Sequence, residues 1–146
     1  MKTRLRSAGI WISGEHILLE TLVDREVWGI PGGFVESEES IEQACVREYS
    51  EETGLTVECD RLAIVHENFW NDNGMDIREY GFYFIVVPAS GCDVKPNIVS
   101  LEGSMHFQWH ALSEFSRIHF VPRALQGYMC DLPDDILFVS TVDGSE

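Results

Sequence analysis

Basic residues are the scarcest charged class in this chain. Ten Lys and Arg stand against 25 Asp and Glu, for a formal charge of -15. A nucleic-acid interface needs clustered cations. The few here are scattered, which argues against DNA or long RNA as a partner. Long hydrophobic runs are missing as well, and no stretch reaches the length of a membrane span. Residues 8–12 follow Lys2, Arg4 and Arg6, but that apolar run is too short for a signal-peptide core and Ser13-Gly14-Glu15 interrupts it. Cys45, Cys59, Cys92 and Cys130 form no C-x-x-C pair, and none of the five histidines has zinc-site spacing. Such cysteines read as reduced thiols, and the expected location is cytoplasmic. There are no repeats and no low-complexity segment.

What is present is a globular composition. Apolar residues make up 45% and aromatics 11%, enough to bury a core, so disorder is excluded. The 146 residues are expected to form one domain, 1–146. Two short β-type runs, 4–12 and 16–20, flank Ser13-Gly14-Glu15, a hairpin signal. Residues 21–26 read as a polar loop. Residues 55–69 hold β-rich pieces, and Asn71-Asp72-Asn73-Gly74 is a turn. Residues 78–87, 105–110 and 136–142 read as strands. Residues 112–115 suggest a turn of helix, and 122–129 a second helix opened by Pro122. These elements predict a mixed α+β architecture.

The most informative segment is residues 40–54. Ile41, Ala44, Cys45 and Glu48 fall at helical spacing, Ser40 with Gln43 forms a capping box, and Gly54 supplies a left-handed stop. Glu48, Glu51 and Glu52 then lie at i, i+3 and i+4 on one face. Like charges so placed repel by a few tenths of a kcal/mol per pair. A hard cation such as Mg2+ reverses that penalty, because it seeks several oxygen ligands. Alone, the three glutamates are better described as a solvated acidic face. The flanks decide against that. Trp28-Gly29-Ile30-Pro31-Gly32-Gly33 precedes the helix, with adjacent glycines that let backbone turn and approach a ligand. Arg47 can pair with Glu51 or orient a neighbouring glutamate.

Gly33, Glu39, Arg47, Glu48, Tyr49, Glu51, Glu52, Gly54 and Leu55 fit G-x5-E-x7-R-E-U-x-E-E-x-G-U in one register, U being bulky and apolar. A chance match is on the order of one in a million chains. The run resembles the signature of the Nudix hydrolases, which cleave a diphosphate linked to another group with the help of divalent metal. Tyr49 departs from the aliphatic residue usual there. The resemblance implies a mixed sheet sandwiched between helices, an α/β/α arrangement, with Mg2+ or Mn2+ as cofactor. It implies that the Gly32 carbonyl, Glu51 and Glu52 are metal ligands. Glu48 is a further ligand or the general base, and Glu39 acts more peripherally at the metal. The expected catalytic set is therefore Glu48, Arg47, Glu51 and Glu52. An acid from outside the motif often completes such sites. Glu102, seven residues before Trp109, is the leading candidate, with Glu67 and Glu79 as rivals.

The implied reaction is attack of metal-activated water on a phosphorus of a small nucleoside diphosphate derivative, an NTP, dNTP or NDP-X. Arg78, Arg4 and Trp70 are candidates for substrate binding, though arginines are commonly surface charges and strand aromatics commonly pack cores. ADP-ribose or another sugar nucleotide is the alternative substrate. The proline and tyrosine markers of two subfamilies are missing near Asn71, and so is the Ser-Gln-Pro-Trp block of a third. An isomerase sharing the fold would need an upstream cysteine, whereas Cys45 is the first in the chain. A non-catalytic nucleotide sensor would be expected to lose motif glutamates that this chain keeps. The sequence selects no oligomeric state, and a homodimer is one option.

Overall fold

Glycines at strand ends and the alternation of aromatics along two long strands set the architecture. The computed structural model describes residues 1–22, 26–91, 95–96, 98, 103 and 105–142. Strand β1 (Lys2–Ile10) ends at Trp11, where the chain leaves one sheet for another. Strand β2 (Ile12–Ser13) then turns at Gly14 (φ 60°) into β3 (His16–Leu22). The predicted hairpin turn is therefore present, but the run expected over 4–12 is split at Trp11. Strands β4 (Val27–Trp28) and β5 (Gly32–Phe34) lead to the helix α1 (Ile41–Thr53).

Helix α1 begins and ends where its local chemistry predicts. The Ser40 hydroxyl accepts from Gln43 N at 3.0 Å, and Gln43 Oε1 accepts from Ser40 N at 2.8 Å. Gly54 closes the last turn at φ 74° and donates to Ser50 O. Strand β6 (Val57–Asp72) follows and pairs antiparallel with β7 (Met75–Pro88). Asn73 (φ 50°) and Gly74 (φ 91°) join them as a two-residue turn whose twist matches the strands. Register irregularities between Cys59/Arg61 and Leu62/Ile64 interrupt the alternation of β6. That is why the sequence shows it only as pieces.

Strands β8 (Met105–Ala111), β9 (His119–Phe120) and β10 (Leu137–Val142) complete the set. The main sheet is mixed, in the order β10-β6-β7-β1-β5, with β1 parallel to β7 and β10 parallel to β6. Strands β2, β3 and β8 form a separate antiparallel sheet, and β4 pairs with β9. The fold is α+β. The second helix expected over 122–129 is instead a six-residue 3-10 segment, Arg123–Tyr128, matching another at Leu112–Arg117. Neither has a side-chain cap, and six residues are too few to overcome the cost of nucleating an α-helix.

Neighbouring residues of β7 face opposite ways. Phe82, Phe84 and Val86 join Cys45 and Tyr49 under the helix, whereas Tyr83 and Ile85 join Phe115, Phe120, Leu125 and Met129 beneath the 3-10 segments. Among the described residues, no helix is long and apolar enough to cross a membrane.

Helix α1 meets the sheet at Gly9. The buried Tyr49 hydroxyl donates to Gly9 O at 2.7 Å, and a Cβ on Gly9 would stand 2.7 Å from the Tyr49 ring and 2.9 Å from Val86. Gly9→Ala should therefore destabilise the protein by about 1–3 kcal/mol through overpacking. Urea unfolding measures it, and a loss under about 0.5 kcal/mol would show that helix and sheet can separate freely here.

Candidate active site

The three motif glutamates leave α1 in different directions. Glu52 is buried, at 4% exposure. The Glu51 side chain is half exposed. Glu48 lies against β5, where a Cβ on Gly33 would overlap its carboxylate. Glycine at position 33 thus leaves room for the Glu48 side chain. The carboxylate face expected from helical spacing exists, but it is graded from core to solvent.

Arg47 organises the outer part. Its Nη1 donates to Glu48 Oε1 at 3.0 Å and Glu51 Oε2 at 3.2 Å, and lies 3.2 Å from Glu36. Its Nε and Nη2 grip Glu39 at 3.0 and 2.8 Å, and Nη2 also donates to Phe34 O at 3.0 Å. One guanidinium therefore ties the loop after β5 to the helix. The hydrogen bond from Arg47, helped by the Glu36 N–H, holds the Glu39 carboxyl below its usual range, and the same bond raises the pKa of Arg47. Glu39 is thus committed to Arg47 and the Glu36 backbone in this arrangement.

The inner part contains a residue that sequence reasoning missed. Glu20, on β3, is 6% exposed. Its Oε1 accepts from Gly32 N at 3.3 Å and Arg6 Nη2 at 3.4 Å. Its carboxyl group also lies within hydrogen-bonding reach of Glu52. Burial pushes Glu20 up to about 7, against the opposing pull of Arg6. Burial, then the charges of Glu20 and Glu48, push Glu52 up to about 10. Two carboxylates cannot hydrogen-bond without a proton between them, so in the absence of a cation the pair holds one at neutral pH. The available signal was a lone acid closing the apolar run Ile17-Leu18-Leu19. Nothing local connects that position to a motif starting at Gly33.

This donor set suits a hard divalent cation. It offers carboxylate oxygens from Glu20, Glu48 and Glu52, one of which, Glu20 Oε2, is buried and, the neighbouring Glu52 carboxyl apart, has no hydrogen-bond partner among the described residues. Among those residues, no group of three or more His, Cys, Asp or Glu yet converges as a closed cage. Glu102 and Cys92 lie outside the described residues. Glu67 accepts from Tyr80 at 2.7 Å and Ser140 at 3.0 Å. Glu79 pairs with Arg4 at 3.5 Å.

A cavity of about 450 Å³ opens on the sheet face away from α1, lined by Arg4, Arg6, Glu20, His66, Asn68, Trp70, Glu79 and Tyr83 among others. Arg4 is stacked on Trp70 at 4.9 Å and Phe34 at 5.1 Å. Arg78 sits over Phe69 at 5.0 Å and does not line the cavity. Strand alternation turns it to the opposite face from Glu79. Thr141 donates to Asn68 Oδ1 at 2.7 Å, so His66 Nε2 donates to Thr141 Oγ1 at 2.7 Å. This polar chain secures the cavity floor, and burial lowers the His66 pKa.

Comparison with known proteins gives consistent matches. The NUDIX domain model matches residues 3–128. The uncharacterized Nudix hydrolase YvcI of Bacillus subtilis (strain 168) is 30% identical over 109 residues, 74% of this chain and 66% of that protein. A MutT-like protein of Streptomyces ambofaciens is 44% identical over 45 residues, 31% of this chain and 29% of its own. The chain thus spans at most 66% of the length of these relatives. The crystal structure of mMutator MutT protein from Bacillus halodurans superposes with a TM-score of 0.74 at 20% identity, covering 95% of this chain and 89% of that one. At that identity the likeness is one of fold.

The buried carboxyl pair generates a pH dependence. A carboxyl whose pKa is raised by folding takes up a proton as the chain folds. Its contribution is most favourable below the unfolded value of 4.5 and is lost as pH rises through about 7 and about 10. Without metal, the stability of the wild-type protein relative to Glu52→Gln should therefore fall across roughly pH 5 to 9. Urea unfolding in a chelator checks this, and parallel curves for the two proteins would contradict the shared proton.

Proposed function

The chain belongs to the Nudix hydrolase family, and from that premise we propose that it hydrolyses the diphosphate linkage of a small nucleoside diphosphate derivative, using Mg2+ or Mn2+. The observation that carries the reading is the buried Glu52 carboxyl. It sits beside Glu20 and Glu48, and Glu20 in turn lines a cavity of about 450 Å³. Such burial opposes folding unless a ligand uses it, and function is the usual reason for keeping perturbed carboxyls in a cleft.

In this reading Glu48, Glu51, Glu52 and the Gly32 carbonyl hold the cation. Bound there, a divalent cation lowers the pKa of water and offsets charge on the phosphate oxygens. Glu48 is positioned by Arg47 Nη1 at 3.0 Å, and either it or Glu52 accepts the proton of the attacking water. Arg47 and Glu39 keep the loop after β5 in register with the helix. The cavity receives the nucleoside portion, with Trp70 as a stacking surface and Arg4 and Arg6 beside the phosphates. Because the formal charge of the chain is -15, the cation is also what makes the site attractive to an anion. The free thiols of Cys45, Cys59 and Cys130 suit a reducing, cytoplasmic setting.

Incubation with deoxynucleoside triphosphates, ADP-ribose, dinucleoside polyphosphates and sugar nucleotides should show Mg2+- or Mn2+-dependent cleavage of at least one, with products identified by mass. Glu52→Gln should lower that rate at least about 100-fold while the protein stays folded. Full activity of Glu52→Gln would refute the site assignment. Tight binding of one compound without turnover of any would point to a sensor instead.

A further inference from the structure

We propose that Glu20, which lies outside the Nudix motif, is itself a ligand of the divalent cation. The inference rests on the metal-dependent reading above and extends it to a second strand. Three observations carry it.

The first is an unmet bonding need. Glu20 Oε2 is buried and, the neighbouring Glu52 carboxyl apart, has no hydrogen-bond partner among the described residues. It is the only carboxylate oxygen in that condition there. A buried acceptor without a partner is expensive, and an unpaired carboxylate far more so. The donors on the other oxygen do not meet the cost, since Gly32 N at 3.3 Å and Arg6 Nη2 at 3.4 Å are both long contacts. A role as a simple counter-ion to Arg6 leaves Oε2 unexplained.

The second is position. The carboxyl group is in hydrogen-bonding reach of Glu52 and bonds the backbone of Gly32. It therefore adjoins Glu52, one of the groups assigned to the cation, and the residue that carries another, Gly32. Two carboxyl groups face to face need something positive between them, and a hard divalent cation seeking about six oxygens meets that need.

The third is rigidity. Glu20 N donates to Gly29 O and Gly29 N donates to Glu20 O, both at 2.9 Å. This closed backbone pair pins the residue at the edge of the cavity, where Arg6 also opens. The site would then draw ligands from β3 as well as from α1 and β5.

Mn2+ titrated into metal-free full-length protein, with free ion read by electron paramagnetic resonance, tests the assignment without reference to turnover. Glu20→Gln is expected to raise the Kd at least about 10-fold. Glu20→Asp, which keeps the charge, is expected to recover part of that loss. Thermal unfolding of the same metal-free samples shows whether each variant is folded, and Glu20→Asp carries the test alone should Glu20→Gln unfold. Wild-type affinity in the folded variants, with Glu52→Gln still weakening binding, overturns the role of Glu20 and leaves the metal site standing. Absence of Mn2+ binding by the wild-type protein overturns both.

Discussion

The close approach of α1 to the main sheet is the constraint on which the rest of the structure depends. It requires missing side chains at two points. At Gly9 the Tyr49 ring takes the space a Cβ would occupy, and at Gly33 the Glu48 carboxylate does so. The first contact buries the helix against Phe84 and Val86. The second brings an acidic helix face against the strand backbone that enters the site. Packing and chemistry are thus set by one distance, because the helix cannot carry Glu48 to β5 without also pressing Tyr49 on β1.

Bringing that helix in concentrates negative charge, and the structure handles it in two ways. At the rim, Arg47 pairs with Glu36, Glu39, Glu48 and Glu51 through one planar guanidinium and offsets part of their charge. In the interior Glu52 has no ion pair among the described residues and lies against the Glu20 and Glu48 carboxyls instead.

The features legible in the sequence were those encoded within a few residues. The limits of α1 follow from Ser40, Gln43 and Gly54, and the β6–β7 turn from Asn73-Gly74, each a local backbone preference. The strands expected over 105–110 and 136–142 were found with small shifts in their ends. Pairing between distant segments was not legible. The break at Trp11 depends on which sheet each half of the run joins, and a register with β3 and β8 cannot be read from alternation. Glu20 escaped for the same reason. Glu20 and its partners Gly32 and Glu52 lie on three different elements, and only the folded chain places them together. The expected second helix failed because its Pro opening signals a first turn, not the length that makes a helix stable.

Arg6 links the two halves of the site. In the present arrangement its Nη2 is shared between Glu20 Oε1 and Ile30 O at 3.4 and 3.5 Å, so its charge is spent on a carboxylate. On the proposed metal site, a cation ligated by Glu20 would take over that charge and leave Arg6 free to face a phosphate in the same cavity. Arg4 differs, being held by Glu79, Phe34 and Trp70 rather than by a carboxylate assigned to the cation. In so acidic a chain the proposed arrangement would let anion affinity rise once the metal is in place.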